Sequence, residues 1–274
     1  MWVGQQLADG LDFWGFLGSL ILGGIILGIY TGLLGYVGAK TGLSLDLLSQ
    51  RAFGEKGSYL PSAMTSFTQI GWFGVGSFVS GGTATPNFAR FAKNGKSGAI
   101  TTVVAFFIGN SLMFFFGAVS SIFVGGNDIF EVMVRLNLFY LAVLVLGLNI
   151  WTTNDNALYT AGLGLANIFH QRKKPMVLLS GIIGTVASVW LYYNFCGWLN
   201  ILNCTLPPVG MILVLAYFMN KEDFETDQPK LKTIDWFAVA GVILGAIVAN
   251  LLHWGIASIN GMVVAAVCYC VGQA

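Results

Sequence analysis

The sequence predicts an all-α polytopic membrane protein, and three observations carry that prediction. Only 9% of the 274 residues are charged and 56% are hydrophobic, whereas a soluble domain carries about 25% charge. Uncharged runs recur from end to end, several of them long enough for the roughly 20 apolar residues that a spanning helix needs. No soluble-looking block separates them, so residues 1–274 read as a single transmembrane domain. The net charge of +1 argues against a nucleic-acid partner. Met1–Gly10 lacks the basic region ahead of an apolar core that marks a signal peptide.

The first span is expected over 13–38, where Gly24, Gly28 and Gly32 put one small residue on each turn. Such a stripe is a close-packing face for a neighbouring helix. Further spans are expected at 98–123, 138–168, 176–195, 200–219, 236–252 and 256–273, with Pro207-Pro208 kinking one of them and His253–Ser258 turning the last pair. Basic clusters at Arg90/Lys93/Lys96, Arg172/Lys173/Lys174 and Lys221/Lys230/Lys232 set the orientation by the positive-inside rule, which leaves the C-terminus cytoplasmic. The earlier cluster Lys40/Arg51/Lys56 also belongs inside, yet only residues 57–89 separate it from Arg90. That run is too long for one ordinary crossing and too short for two. Its stretch "GWFGVGSFVSGGTATPNF" is also too rich in Gly, Ser and Thr for a lipid-facing helix. It either re-enters from the cytoplasmic side or joins two half-spans. Cys196, Cys204, Cys268 and Cys270 lack metal-ligand spacing and read as lipid- or core-facing thiols.

Two polar constellations interrupt this apolar chain. In "GLNIWTTNDNALY", residues 147–159, Asn149, Thr152, Thr153 and Asn156 share one helical face near the middle of the span 138–168. Hard cations such as sodium take oxygen ligands, and two hydroxyls beside amide and backbone carbonyls supply them without a full charge. Intramembrane Thr and Asn also serve as interhelical glue, but four on one face at mid-membrane mark a functional site. Asp155 points away from the Thr pair and reads as a structural or gating anion rather than a proton relay. The second constellation, "TQIGWFGVGSFVSGG", sets the Gln69 amide one turn from the Trp72 indole, with Phe78 as another flat face and Ser77 and Ser80 beside Gly81-Gly82. A broken helix whose free backbone groups line a cavity suits this composition. An amide between aromatics is the chemistry of a small, planar, uncharged ligand with hydrogen-bonding edges, such as a nucleobase. An aromatic-and-Gln face is also ordinary packing. No Walker loop, metal cluster or Ser/His/Asp grouping occurs within any span, so the chain does not read as an enzyme.

The motifs "LGLNIWTTNDNALY", "TQIGWFGVG", "FFIGNSLMFFFGA", "LGIYTGLLGYVGAKTGL" and "LPPVG" resemble those of the bacterial cytosine permeases of the nucleobase–cation symporter family, over essentially the whole chain. The resemblance implies a LeuT-like inverted-repeat transporter fold, here incomplete. The chain begins at what resembles the second half of the first helix, and Gly76 runs directly into Ser77 where the family carries further helices. The 76–77 junction would thus join two half-spans. The resemblance also implies a sodium ion as coupling ion, bound by the Asn149 carbonyl and the Thr152 and Thr153 hydroxyls. Cytosine would be held by Gln69 and Asn154, stacked between Trp72 and Phe78, with backbone contacts at Ser77 and Ser80. Because Asn154 lies off the Thr face, ion and base must occupy different sides of that helix.

The implied activity is cation-coupled import of cytosine across the inner membrane by alternating access, with cytosine and the lipid bilayer as partners, no other cofactor and no obligate protein partner. The alternatives are a proton-coupled nucleobase permease and a shortened, non-transporting membrane binding or assembly protein. If the two halves of 59–89 form one pocket, the backbone must break near Gly74–Gly76. Nine residues of continuous helix would separate positions 69 and 78 by about 13 Å.

Overall fold

The computed structural model describes residues 12–75, 83–125, 129–226, 229, 231–252 and 254–273. Among these, regular structure is entirely helical, in the order α1 (Phe13–Thr41), α2 (Leu45–Phe53), α3 (Tyr59–Val75), α4 (Pro86–Ala89), α5 (Gly95–Val103), a π-helical stretch (Val104–Gly109), α6 (Asn110–Val124), α7 (Ile129–Arg135), α8 (Phe139–Phe169), α9 (Lys173–Tyr193), α10 (Phe195–Met219), α11 (Lys221–Glu225), α12 (Trp236–Leu251) and α13 (Ala257–Gln273). Every expected span has its helix, within a few residues at each end.

By length and composition, four continuous helical stretches among the described residues can cross a membrane: Phe13–Thr41, Gly95–Val124, Lys173–Leu191 and Gly197–Met219. Two shorter apolar helices, Trp236–Leu251 and Ala257–Gln273, form a hairpin. The spans carry large apolar side chains outward, as on α9, where Leu178, Ile182, Val186, Val189 and Trp190 are all exposed. Lipid, not water, is the solvent that such a surface fits.

The caps explain where several helices start and stop. Asp12 accepts the Gly15 N–H at the head of α1, and Gly42 ends that helix in the left-handed region at φ +69° with its N–H on the Gly38 carbonyl. Asn94 and Asp235 cap α5 and α12 in the same way, accepting from the Ser97 and Ala238 amides at 2.8 and 3.1 Å.

The glycine stripe of α1 does what its spacing predicts. A Cβ at Gly24 would sit 2.9 Å from the Phe107 ring, and one at Gly32 would sit 2.6 Å from Val103. The stripe continues past the expected three positions: Gly35 faces Thr102 and Gly38 lies against Pro86. Backbone-to-backbone closeness along this seam packs α1 on α5 and on the π-helical stretch. On its other side α1 joins α10, α12 and α13 around Leu34, Val37, Val209, Ile212, Leu213, Val242 and Tyr269, all buried.

Pro207 and Pro208 lie inside α10, which runs through both as one helix. Pro208 packs into the small-residue notch where Gly245 of α12 meets Gly261 of α13. The turn expected in the last pair falls between Leu251 and Ala257.

The puzzling run 57–89 is not a single helix. α3 is described as far as Val75, and the next described residues form a turn at 83–85 and then the short α4. α3 lies antiparallel along α8, a register fixed by polar contacts. Asn167 Nδ2 donates to Ser58 and Ser62 at 3.1 and 2.9 Å, and Ser66 Oγ donates to the Ala161 carbonyl at 3.2 Å. Gly164 leaves the room: its Cβ would lie 2.8 Å from the Ser62 carbonyl oxygen.

Candidate functional site

The polar stripe of α8 opens onto a cavity of about 540 Å³. Asn149, Thr152, Thr153, Asn156 and Thr160 border it from α8, and Gln69 borders it from α3. Thr85 and Phe88 close it from the segment around α4, while Thr101, Thr102, Phe106 and Asn110 line it along α5, the π-helical stretch and α6. The π-helical geometry, with its extra residue per turn, is a frequent companion of functional sites. Here it lies where Ala105 and Phe106 border the cavity.

The structure therefore gathers two clusters that are about 80 positions apart in sequence. Gln69, nearly buried at 7% exposure, faces the same space as Asn149, Thr152 and Thr153. Thr152 Oγ1 donates to the Asn149 carbonyl at 3.0 Å and to the Leu148 carbonyl at 3.2 Å. That spacing has chemical meaning. Oxygens ligating a calcium-sized cation stand about 2.3–2.6 Å from it, so neighbouring ligands sit roughly 3 Å or a little more from one another. The Asn149 carbonyl and the Thr152 hydroxyl stand at that spacing, which is also the spacing of a helical threonine bonded back to its own preceding turn, and both are neutral oxygens.

Asn154 stands off the cavity. One turn on along its stripe comes Leu158, then Gly162, and these meet Gly181 and Val177 of α9 rather than the Thr face. Its Oδ1 is buried without a hydrogen-bond partner among the described residues. Helical spacing is the reason, as the sequence suggested: Asn154 is one residue from Thr153 and so turns about 100° away. Trp72 lies in α3, but its side chain, like Ser77, Phe78 and Ser80, is outside the described residues. Asp155 is exposed and does not border the cavity.

A second polar cluster escaped sequence reasoning altogether. Asp46, in the first turn of α2, is 5% exposed and accepts from Ser62 Oγ at 2.6 Å. Ser62 in turn accepts from Asn167, whose Oδ1 accepts from Gln50 Nε2 at 2.6 Å. Burial pushes the Asp46 carboxyl up to about 6, against the opposing pull of the Ser62 hydrogen bond and of the nearby Arg90 charge. Arg90 itself donates to the Tyr159 hydroxyl. Asn87 Oδ1 accepts the Leu45 N–H at 2.8 Å, which ties α4 to the head of α2. By sequence alone Asp46 is an ordinary acid at a helix start, two residues after the capping Ser44.

A helical membrane bundle whose cavity is bordered by a row of Asn and Thr side chains on one helix and by a buried amide on another defines a multi-pass membrane protein with an internal polar site. The family described as permease for cytosine/purines, uracil, thiamine, allantoin matches residues 1–84 and 74–272, and the chain belongs to it. The chain is 36% identical over 362 aligned positions to the cytosine permease of Escherichia coli (strain K12), covering 98% of this chain and 86% of that one. A shorter match, 34% identical over 82 residues, is to the allantoin permease of Bacillus subtilis (strain 168), covering 30% of this chain and 16% of that protein. These relatives are permeases, not enzymes. The longer alignment exceeds the 274 residues of this chain, so the Escherichia coli protein carries a stretch that has no counterpart here.

Proposed function

We propose that this protein imports cytosine across the bacterial inner membrane, coupled to sodium, by alternating access. The observation that carries the reading is the single cavity bordered by Gln69 on one side and Asn149, Thr152 and Thr153 on the other. A sodium ion would sit among the Asn149 carbonyl and the two Thr hydroxyls, and the base would take the Gln69 amide, a group that carries both donor and acceptor atoms. Trp72 and Phe78 would supply flat faces, with Ser77 and Ser80 completing the contacts, while Asn154, which stands off this cavity, would not reach a base held there. Ion binding orders the α8 backbone that borders the base, so each ligand raises the affinity for the other. The fold proposed is LeuT-like and incomplete, with two half-spans joined at 76–77 and a cytoplasmic C-terminus. The two stretches of family match, which overlap at 74–84, support that junction.

Two observations favour other readings. Asp46 is a buried carboxyl titrating at about 6, the kind of group that proton coupling requires. The stretch missing relative to the Escherichia coli protein, together with a first half of α8 that is exposed on nearly all sides, favours a shortened chain that binds without transporting. Uptake of labelled cytosine in a strain lacking its own permease, with and without a sodium gradient at fixed pH, separates the three. Sodium-driven accumulation is expected. Accumulation driven only by a pH gradient refutes the sodium assignment, and binding without uptake refutes transport.

A further inference from the structure

The stripe on α8 does not end at Asn156. One turn further on, Thr160 is 2% exposed, borders the cavity, and keeps a buried Oγ1 with no hydrogen-bond partner among the described residues. A helical threonine normally turns its hydroxyl back to a carbonyl of the preceding turn. This chain follows the habit elsewhere: Thr31 donates to Leu27 at 2.8 Å, Thr68 to Met64 at 2.6 Å, Thr185 to Gly181 at 2.8 Å and Thr205 to Ile201 at 2.8 Å. Thr160 does not. Leaving a buried hydroxyl unpaired is costly, so this one calls for a partner from the cavity it borders.

The register of α3 on α8 says what that partner touches. Ser66 is level with Ala161, and the helices run antiparallel, so Gln69 falls level with about residue 158. Thr153 then lies roughly 7 Å along the axis on one side of the Gln69 level, and Thr160 about 3 Å on the other. A planar ring held by the Gln69 amide thus has the Thr152/Thr153 oxygens towards one end and the Thr160 hydroxyl towards the opposite one.

Resting on the transport reading above, we propose that Thr160 is a substrate-contacting residue. Its hydroxyl hydrogen-bonds the polar edge of the pyrimidine that Gln69 holds, at the end of the cavity away from the cation. A hydroxyl both donates and accepts, so it can meet either an exocyclic amino group or a ring carbonyl. The side chain takes no part in holding the ion.

The test is equilibrium binding of cytosine to the purified chain in lipid nanodiscs. Thr160→Val keeps the shape and removes the hydroxyl, and Thr160→Ser restores the hydroxyl with less bulk. Thr160→Val is expected to weaken cytosine binding by roughly tenfold, the scale of one lost hydrogen bond. Thr160→Ser should return to within about twofold of wild type, and the sodium concentration giving half-maximal effect should stay unchanged in both. Binding by Thr160→Val within about twofold of wild type overturns the proposal, as does a Thr160→Ser variant as weak as Thr160→Val. Thr160→Cys gives a second readout independent of the Val variant: cytosine should slow its reaction with a small thiol reagent, and failure to protect overturns the contact. A wild-type chain that binds no cytosine overturns the transport reading and this contact together, an outcome distinct from normal wild-type binding with an indifferent Thr160→Val.

Discussion

Replacing Asp46 by Asn should abolish a pH dependence of stability that the buried carboxyl imposes. Asp46 titrates at 3.8 when unperturbed and at about 6 in the fold, with burial as the main cause. Ser62 donates to it, and Arg90 is the charged group facing it; neither reverses the effect of burial. Because the folded state holds this proton more tightly than the unfolded state, the contribution of Asp46 to stability is greatest below pH 4. It falls as pH rises from about 4 to 6 and is flat beyond. A rise of roughly two pKa units corresponds to about 3 kcal/mol. In a chain of this size each kcal/mol shifts the unfolding midpoint by about 2–4 °C, so the wild type should lose roughly 6–12 °C relative to Asp46→Asn across that window. The assay is thermal unfolding in detergent or nanodiscs from pH 4 to 7, comparing wild type with Asp46→Asn so that the exposed carboxylates cancel in the difference. The variant should be nearly flat relative to wild type. Parallel curves over the whole range would refute the assignment of a buried, titrating Asp46.

Other consequences follow from the same geometry. Thr152→Ala or Thr153→Ala should weaken sodium before it weakens cytosine, because each removes one of few ligand oxygens; the cytosine affinity measured against sodium concentration tests it, and an unchanged sodium dependence in both variants rules the site out. Gly35→Ala should destabilise the bundle by about 1–3 kcal/mol, since its Cβ would run into the Thr102 side chain and lie 3.1 Å from the Gly98 carbonyl oxygen. Gly18→Ala, with nothing within 4 Å of its Cβ, should be neutral or slightly stabilising by the same melting assay.

What the sequence made legible was whatever is periodic along one helix. The one-per-turn glycines of α1 announced a close neighbour before α5 was known to be that neighbour. Asn149, Thr152, Thr153 and Asn156 shared a face by spacing alone, and extending that count by one turn would have reached Thr160. The composition of 57–89 forbade a single lipid-facing span, and the turn at 83–85 ahead of α4 shows that the run is not one helix. What stayed hidden depends on contacts between helices. Asp46 gives no local sign of burial, because Ser62 and Asn167, which enclose it, come from α3 and α8. Asn110 and Thr85 reach the cavity only because α1 draws α4, α5 and α6 together along its glycine face. Asn154 shows the limit in the other direction. It stands beside the Thr pair in sequence, yet one residue of helix turns it towards α9.

The most direct test of the central claim is the dissociation constant of cytosine for the purified chain, measured across a range of sodium concentrations at constant ionic strength. The cavity that joins Gln69 to the Asn149, Thr152 and Thr153 oxygens predicts that cytosine binds more tightly as sodium rises, with sodium binding strengthened by the same factor when cytosine is present. It further predicts that Gln69→Ala removes cytosine binding while leaving the sodium site intact. A cytosine affinity indifferent to sodium, or sodium binding lost with Gln69, would contradict it.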